Sequence, residues 1–140
     1  MPNRPIIAIT MGDPCGIGPE IIIKALQSPE VAKICAPLVI GDRSTLLRAL
    51  SVCDSALKIR EVAAAEDARA VPEGTIPLLS LSHLAEADML YGAPSAAAGD
   101  AVYRYICHAA QLCLDGQVAA MATAPISKEA MHRAGHDHPG

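Results

Sequence analysis

The chain has 140 residues, of which 51% are hydrophobic, and its formal net charge is -4. A chain of this length corresponds to one domain, which can bury roughly two thirds of the surface that the unfolded chain exposes. The sequence has no basic stripe, which argues against a nucleic-acid surface, and no run approaches the roughly 20 apolar residues that cross a bilayer. The start has no signal-peptide pattern, so we expect a soluble, cytoplasmic protein.

The first predicted elements are a strand, a glycine-rich turn and a helix. Four apolar residues, Ile6 to Ile9, favour a strand that is buried on both faces. A helix over Ile21 to Leu26 follows the turn, and Glu30 to Ile34 adds a further helical turn. The turn between the strand and the first helix is rich in glycine and proline and contains one aspartate. Its residues are Gly12, Asp13, Pro14, Gly16, Gly18 and Pro19.

This order of elements favours phosphate binding. Backbone N–H groups and the positive end of a helix dipole, about half a unit charge, would face an anion above the strand. On spacing alone, a generic strand-to-helix turn explains the glycines and prolines equally well. The turn is not a Walker loop, because no GKS or GKT follows, and it lacks the GxGxxG dinucleotide fingerprint.

The middle of the chain alternates predicted strands and helices. Pro37 to Ile40 is the second strand, and Ser44 caps a helix through Leu50, with Asp42 near its positive end. Leu57 to Val62 alternates apolar and charged residues, which predicts a half-exposed edge strand. Ala63 to Gly74 is predicted to be surface loop with one helical turn.

A further strand and the longest helix come next. Ile76 to Leu81 is a strand, and Ser82 to Pro94 is an irregular connection. Ser95 to Leu114 has helical periodicity and is closed by Asp115 and Gly116. One face of this helix collects Ala98, Val102, Tyr105, Ile106, Ala109, Leu112 and Cys113.

The chain closes on a strand and a short helix. Val118 to Ala122 is predicted to be a fully buried strand of small residues. Ser127 then caps a helix from Lys128 to Ala134, which Gly135 ends. Strands that alternate with helices predict an α/β fold with a mainly parallel sheet and helices on both faces.

The cysteines offer no metal or redox motif. Their number is odd and no CxxC is present, so we expect reduced, mostly buried thiols. They are Cys15, Cys35, Cys53, Cys107 and Cys113.

The stretch from Thr123 to Gly140 is the second candidate site. It begins at the carboxyl end of a predicted strand, where open α/β sheets bind ligands. Lys128 could offer its ammonium to a phosphate or carboxylate, although a solvated lysine is the alternative. Three histidines follow, but Gly135 interrupts their helical spacing, so we expect solvent-exposed side chains and assign no metal site. These histidines are His132, His136 and His138.

Two motifs resemble one family. TMGDPCGIGPE is similar to T-x-G-[DE]-P-x-G-I-G-P-[DE], the N-terminal signature of the 4-hydroxythreonine-4-phosphate dehydrogenase family, with Cys15 where the family more often has alanine. The shorter GIGPE also resembles the turn of isocitrate and isopropylmalate dehydrogenases, which are similar in fold. The stretch TAPISKEAMHRAGHDHPG resembles the family's T-[AG]-P-x-x-K pattern with its two later glycines, through Thr123, Pro125, Lys128, Gly135 and Gly140.

The resemblance implies that residues 1–140 are the N-terminal portion of a two-domain α/β dehydrogenase, truncated before the family's next residues, His-Thr-Glu. That histidine and threonine bind the substrate in the family, and its metal-ligand histidines lie further downstream. We therefore expect the chain alone to be inactive, and we assign it no catalytic residue. From the resemblance and the turn, we expect seven residues to line the substrate or cofactor cleft. They are Gly12, Asp13, Gly16, Gly18, Glu20, Thr123 and Lys128.

For the complete protein, the resemblance implies a homodimer that oxidises and decarboxylates 4-phosphohydroxy-L-threonine in pyridoxal 5'-phosphate (vitamin B6) biosynthesis. Hydride would pass to NAD or NADP, and a divalent metal (Zn, Mg or Co) would hold the hydroxyl and the neighbouring carboxylate. D-threonate or D-erythronate 4-phosphate is an alternative substrate, and another branch of the family acts on aromatic cis-dihydrodiols. A different alternative is an inactive α/β module that binds a nucleotide or a partner.

Overall fold

The computed structural model describes residues 3–139, so the motif residue Gly140 lies outside the described residues. Within this range five parallel strands form one sheet in the order β3-β4-β2-β1-β5. The strands are β1 (Ile6–Thr10), β2 (Ala36–Asp42), β3 (Lys58–Glu61), β4 (Thr75–Ser82) and β5 (Ala120–Thr123).

Helices connect the strands and cover both faces of the sheet, which confirms the predicted α/β class. Because crossovers between parallel strands are right-handed, the strand order places the first three helices on one face and the fourth on the other. The α-helices are α1 (Gly18–Leu26), α2 (Pro29–Ile34), α3 (Arg43–Val52), α4 (Ala96–Leu114) and α5 (Lys128–Arg133). Short 3-10 helices span Ala65–Ala70 and Glu86–Asp88. None of the helices in residues 3–139 has the length and hydropathy needed to cross a membrane.

The apolar run of β1 follows from its position inside the sheet. It pairs with β2 on one side, where Ile6 is opposite Ala36, and with β5 on the other, where Ile7 is opposite Ala120. A parallel strand flanked in this way is covered by helices on both faces, which favours continuous apolar sequence. The predicted strand at Ile6 to Ile9 is therefore confirmed, but only one of its faces is fully buried, since Ile7 and Ile9 are half-buried.

Helix α4 packs across the sheet and contributes the largest fully buried side chain, Tyr105. Its predicted face is largely confirmed, since Ala98, Val102 and Ala109 are buried. Gly99 and Ala101 are buried as well, since Gly99 packs against the Ala130 backbone of α5 and Ala101 belongs to the main hydrophobic core.

The cap of α3 differs from the prediction. Asp42, not Ser44, is the N-cap, and its carboxylate accepts a hydrogen bond from the amide of Thr45 at 3.1 Å. Strand β2 is longer than predicted and extends to Asp42, so the helix begins directly after the strand at Arg43. A carboxylate at this position also suits the positive end of the helix dipole.

The last strand also differs from the prediction. It spans Ala120–Thr123 rather than Val118 to Ala122, and most of it is exposed. It is the edge strand of the described sheet, with β1 on one side and no strand on the other among residues 3–139. Its small apolar residues are typical of an interior strand, so composition alone predicted burial.

The cysteines are free, and their burial varies. Cys15 and Cys35 are buried, whereas Cys107 is exposed on α4. The expectation of mostly buried thiols is therefore only partly correct.

Candidate functional site

The two segments singled out in the sequence meet at the carboxyl edge of the sheet. Strands β1 and β5 run side by side with Thr10 opposite Thr123, so the turn after β1 and the loop after β5 leave the sheet together. The amide of Asp13 donates to the carbonyl of Pro125 at 2.8 Å. Next to it, the amide of Ala124 donates to the carbonyl of Thr10 at 3.1 Å. The motifs thus form one continuous surface where open α/β sheets bind ligands.

Glycines in the turn are required by contacts within the protein. Gly12 has a φ of +76°, and a Cβ on it would lie 2.5 Å from the carbonyl oxygen of Pro125. A Cβ on Gly18 would lie 2.6 Å from the carbonyl oxygen of Met11. Both distances are too short for any side chain, so these glycines allow α1 and the β5 loop to pack against the turn.

Asp13 stabilises the turn itself. Its carboxylate accepts a hydrogen bond from the amide of Cys15 at 2.9 Å, and its carbonyl accepts one from the amide of Gly16 at 3.0 Å. The first bond is that of an Asx turn and the second is that of a β-turn. Helix α1 then begins after Ile17, whose side chain supplies no capping bond. Pro19 has no N–H, so the amides of Gly18 and Glu20 are the donors that this uncapped first turn leaves without an intrahelical partner.

Glu20 faces the segment that follows the second 3-10 helix. One oxygen of its carboxylate accepts a hydrogen bond from the Tyr91 hydroxyl. The other is buried and has no hydrogen-bond partner among residues 3–139. Burial, followed by the hydrogen bond to Glu20, raises the pKa of Tyr91.

Arg48 of α3 contacts both the segment around Tyr91 and the turn after β1. Its guanidinium lies 4.0 Å from the centre of the Tyr91 ring, donates to the carbonyl of Pro14 at 2.5 Å and also donates to the carbonyl of Met89. Neither Arg48 nor Tyr91 was among the residues predicted from the sequence. No local pattern marks them, because their partners lie on other elements of the fold.

The β5 loop leads into α5, which is fixed on α4. The Ser127 hydroxyl accepts a hydrogen bond from the amide of Ala130 at 3.1 Å, which confirms the predicted cap. A Cβ on Gly99 would lie 1.9 Å from the carbonyl oxygen of Ala130, so the two helices touch through their backbones. Thr123 at the end of β5 and Lys128 at the start of α5 are both exposed, one on each side of this loop. Lys128 donates to the carbonyl of Pro139 at 3.3 Å.

The histidines behave differently from one another. His132 and His138 are exposed as expected, but His136 is half-buried, with 22% of its side chain exposed. Its Nε2 lies 2.9 Å from Oδ1 of Asp100, and its ring stacks on Tyr103 with 3.8 Å between centroids. The hydrogen bond to His136, and then the one to Arg104, lowers the pKa of Asp100. The expectation of a solvent-exposed side chain is therefore wrong for His136, because α4 covers it.

A buried carboxylate at the neighbouring strand ends is structural. Besides capping α3, Asp42 accepts hydrogen bonds from the Ser82 hydroxyl at 2.9 Å and from the amide of Leu84 at 2.8 Å. The hydroxyls of Ser82 and Tyr105 are 2.5 Å apart, and burial raises the pKa of Tyr105. Because both oxygens of Asp42 are engaged, we assign this group no chemistry.

The described residues do not fit the divalent metal that the resemblance implies. Within residues 3–139, no group of three or more His, Cys, Asp or Glu side chains could hold a metal ion.

A groove of about 690 Å³ lies at the other end of the sheet, between Arg4, Gln27 and the first residues of β4. It is formed at the amino ends of β2 and β4, far from both motifs. Open α/β sheets bind their ligands at the carboxyl ends of the strands, so we place the candidate site at the turn and the β5 loop.

Comparison with known proteins gives a consistent result. The family model described as "Pyridoxal phosphate biosynthetic protein PdxA" matches residues 33–140. The 4-hydroxythreonine-4-phosphate dehydrogenase of Trichlorobacter lovleyi is 61% identical over 137 residues, which are 98% of this chain and 41% of that protein. The D-threonate 4-phosphate dehydrogenase of Cupriavidus necator is 46% identical over 136 residues, which are 97% of this chain and 40% of that protein.

A solved structure is similar over the same extent. The crystal structure of a 4-hydroxythreonine-4-phosphate dehydrogenase from Burkholderia phymatum superposes with a TM-score of 0.87 and 41% sequence identity. The alignment covers 98% of this chain and 41% of that one. The chain thus spans about two fifths of the length of the relatives that it matches.

Proposed function

Because the chain belongs to the PdxA family of pyridoxal phosphate biosynthetic proteins, we propose that it forms the N-terminal part of a dehydrogenase acting on a phosphorylated hydroxy acid. The substrate that we favour is 4-phosphohydroxy-L-threonine, since the relative with 61% identity is named for that activity. D-threonate 4-phosphate is the second candidate, because a relative with 46% identity is named for it. D-erythronate 4-phosphate would be held by the same groups, so it stays open.

One observation carries the proposal about the site. The turn after β1 and the loop after β5 are joined by the hydrogen bond from Asp13 to Pro125, 2.8 Å long. In our proposal the turn from Gly12 to Glu20 lines the cofactor or substrate cleft, with the uncapped amides of α1 as donors. Thr123 and Lys128 would contact the anionic group of the substrate, where an ammonium can pair with a phosphate or carboxylate.

The proposed reaction removes a hydride from the alcohol carbon, and the proton of the hydroxyl is released to solvent water. NAD or NADP, when bound, would accept the hydride. The resulting β-keto acid of 4-phosphohydroxy-L-threonine would then lose CO2. The residues of this chain would bind and orient the substrate, since Lys128 offsets negative charge and the rigid turn fixes the cleft wall. We assign no catalytic acid or base among residues 3–139.

We also propose that the chain is the N-terminal portion of a two-domain, cytoplasmic homodimer. The exposed apolar edge of β5 supports a further domain packed there, because interior strands have this composition. The five free cysteines support a reducing compartment. In this proposal the metal ligands lie beyond residue 140, as the family resemblance implies.

The test uses the full-length product of the source gene. It should reduce NAD or NADP with 4-phosphohydroxy-L-threonine, and comparison with D-threonate 4-phosphate identifies the substrate. Lys128→Ala should raise the KM for the phosphorylated acid about tenfold and leave the KM for the nucleotide unchanged. Lys33→Ala, an exposed lysine on α2, is the matched control and should change neither constant. No nucleotide reduction with either acid would contradict the dehydrogenase; unchanged kinetics in Lys128→Ala would contradict only the substrate contact.

A binding module is the second candidate function, and the exposed surface near β5 favours it. Ile17 is 64% exposed on the turn, Ile21 is 41% exposed on α1, and the adjacent edge strand is unpaired among residues 3–139. Apolar surface of this kind marks an interface. Concentration-dependent association of the 140-residue chain in sedimentation velocity, with dye binding, would support the module. Metal-dependent reduction of NAD by the same chain would count against it.

A further inference from the structure

We propose that Asp100, Tyr103 and His136 form a latch that positions the Lys128 ammonium at the substrate site. The latch rests on the proposed function, in which Lys128 contacts the anionic group of the substrate. The three latch residues would act through Lys128 and would not themselves touch the substrate.

The latch begins with a rigid support. Helix α5 touches α4 through backbone atoms at Gly99 and Ala130, where no side chain fits between them. The chain then turns at Gly135, whose φ is +89°, and runs back along α4. The amide of His136 donates to the carbonyl of Met131 at 2.9 Å, which fixes the backbone at the start of this return.

The side chain of His136 fastens the returning segment to α4. Its Nε2 pairs with Asp100 at 2.9 Å, and its ring lies parallel to that of Tyr103, at an interplanar angle of 10° and a centroid distance of 3.8 Å. Asp100 is held in turn by Arg104 at 3.0 Å, and Arg104 donates to the carbonyl of Leu81 at 2.6 Å. The latch is therefore connected to the end of β4 and not only to its own helix.

The segment fixed by the latch carries the partner of Lys128. His138 also lies parallel to Tyr103, with 5.5 Å between the ring centroids. The next residue, Pro139, accepts the hydrogen bond from Lys128 at 3.3 Å. A lysine side chain has a flexible four-carbon stem, and holding its ammonium before the ligand arrives reduces the entropy lost on binding. Fixing Pro139 would therefore favour substrate binding without altering the chemistry.

The same helix supplies a matched control. His132 pairs with Asp137 at 3.2 Å, but the two side chains are 52% and 90% exposed. Exposed pairs of this kind contribute little. His132→Gln should therefore leave the position of Lys128 unchanged, whereas His136→Gln and Asp100→Asn should release it.

The experiment compares these variants in the full-length gene product. Asp100→Asn and Tyr103→Leu should raise the KM for the phosphorylated acid about fivefold, with kcat and the nucleotide KM unchanged. Tyr103→Phe keeps the stacked ring, so this variant should have the wild-type KM, unlike Tyr103→Leu. A KM effect shared by the acid and the nucleotide, or no effect of Asp100→Asn in an active enzyme, would overturn the latch.

A second readout does not depend on activity. Hydrogen exchange of the amides of residues 136–138 and acylation of Lys128 by an amine reagent should both be faster in Asp100→Asn, by about fivefold. His132→Gln should match the wild type in both. If the protein oxidises neither phosphorylated acid, the proposed function fails, and unchanged exchange and acylation would then overturn the latch separately.

Discussion

The α-carbon of Gly12 packs against the carbonyl of Pro125 so closely that a Cβ on Gly12 would lie 2.5 Å from that oxygen. This contact and the adjacent hydrogen bond from Asp13 join the turn after β1 to the loop after β5. The two motifs therefore behave as one structural unit, and a change in either backbone moves the other.

Replacing Gly12 should be costly for this reason. Gly12→Ala introduces a side chain at a φ of +76°, which costs about 1 kcal/mol, and it also forces the Pro125 backbone to move. We expect a loss of about 2–4 kcal/mol in the free energy of unfolding, measured in urea. Gly116→Ala is the control, because its φ is +71° but nothing lies within 4 Å of the new Cβ. Equal losses in the two variants would show that the Pro125 contact is unimportant.

Gly99→Ala tests the contact between α4 and α5 through the sign of the change in the free energy of unfolding. In the interior of a helix, glycine is usually less stable than alanine by roughly 0.5–1 kcal/mol, so Gly→Ala normally stabilises. A Cβ on Gly99 would lie 1.9 Å from the carbonyl oxygen of Ala130, so α5 would have to move away from α4. We expect Gly99→Ala to destabilise the protein by about 1–3 kcal/mol in thermal or urea unfolding. A stabilised variant would contradict the close contact between the helices.

Asp42 should be intolerant of a neutral substitute. The side-chain oxygen of Asn can still accept the hydrogen bond from Thr45. Its NH2 group, however, would face the Ser82 hydroxyl and the Leu84 amide, which both donate to Asp42. We expect Asp42→Asn to lose about 2–4 kcal/mol in urea unfolding, since buried donors would lack an acceptor. Asp115→Asn, on an exposed residue, should change stability by less than about 0.5 kcal/mol. Similar losses in both variants would argue against a special role for the buried network.

The pairing of Asp100 with His136 predicts a contribution to the free energy of unfolding that depends on pH in the acid range. The pKa of Asp100 is lowered from its ordinary value of 3.8, first by the hydrogen bond to His136 and then by Arg104, while burial opposes the shift. A pKa that is lower in the folded state means that ionised Asp100 stabilises the fold above about pH 4. That stabilisation is lost as the pH falls through the folded pKa.

We therefore expect the stability difference between the wild type and Asp100→Asn to shrink as the pH is lowered from about 6 to about 3. The difference at pH 6 should stay below about 1 kcal/mol, because the Asp100 side chain is 47% exposed and solvent screens the pair. Glu73→Gln, at an exposed turn residue, is the control. A difference that grows on acidification would contradict the assignment.

The elements were predictable where the signal is local. The apolar run of β1, the periodicity of α4 and the Ser127 cap of α5 each depend on residues within one element, and all three are confirmed. The glycine turn and the TAPISK motif were recognised in the same way, and their family is confirmed. The roles of Gly12, Thr123 and Lys128 in binding remain predictions.

Only the tertiary structure decided the remaining features, because each depends on residues far apart in the chain. Tyr91 bonds to Glu20 across 71 residues, Ser82 bonds to Asp42 across 40, and His136 pairs with Asp100 across 36. The exposed edge of β5 likewise follows from strand order, which composition does not reveal. Local sequence determined which elements form and which motifs they carry. Packing determined which charges are neutralised, which histidine is covered and which strand is left at the edge.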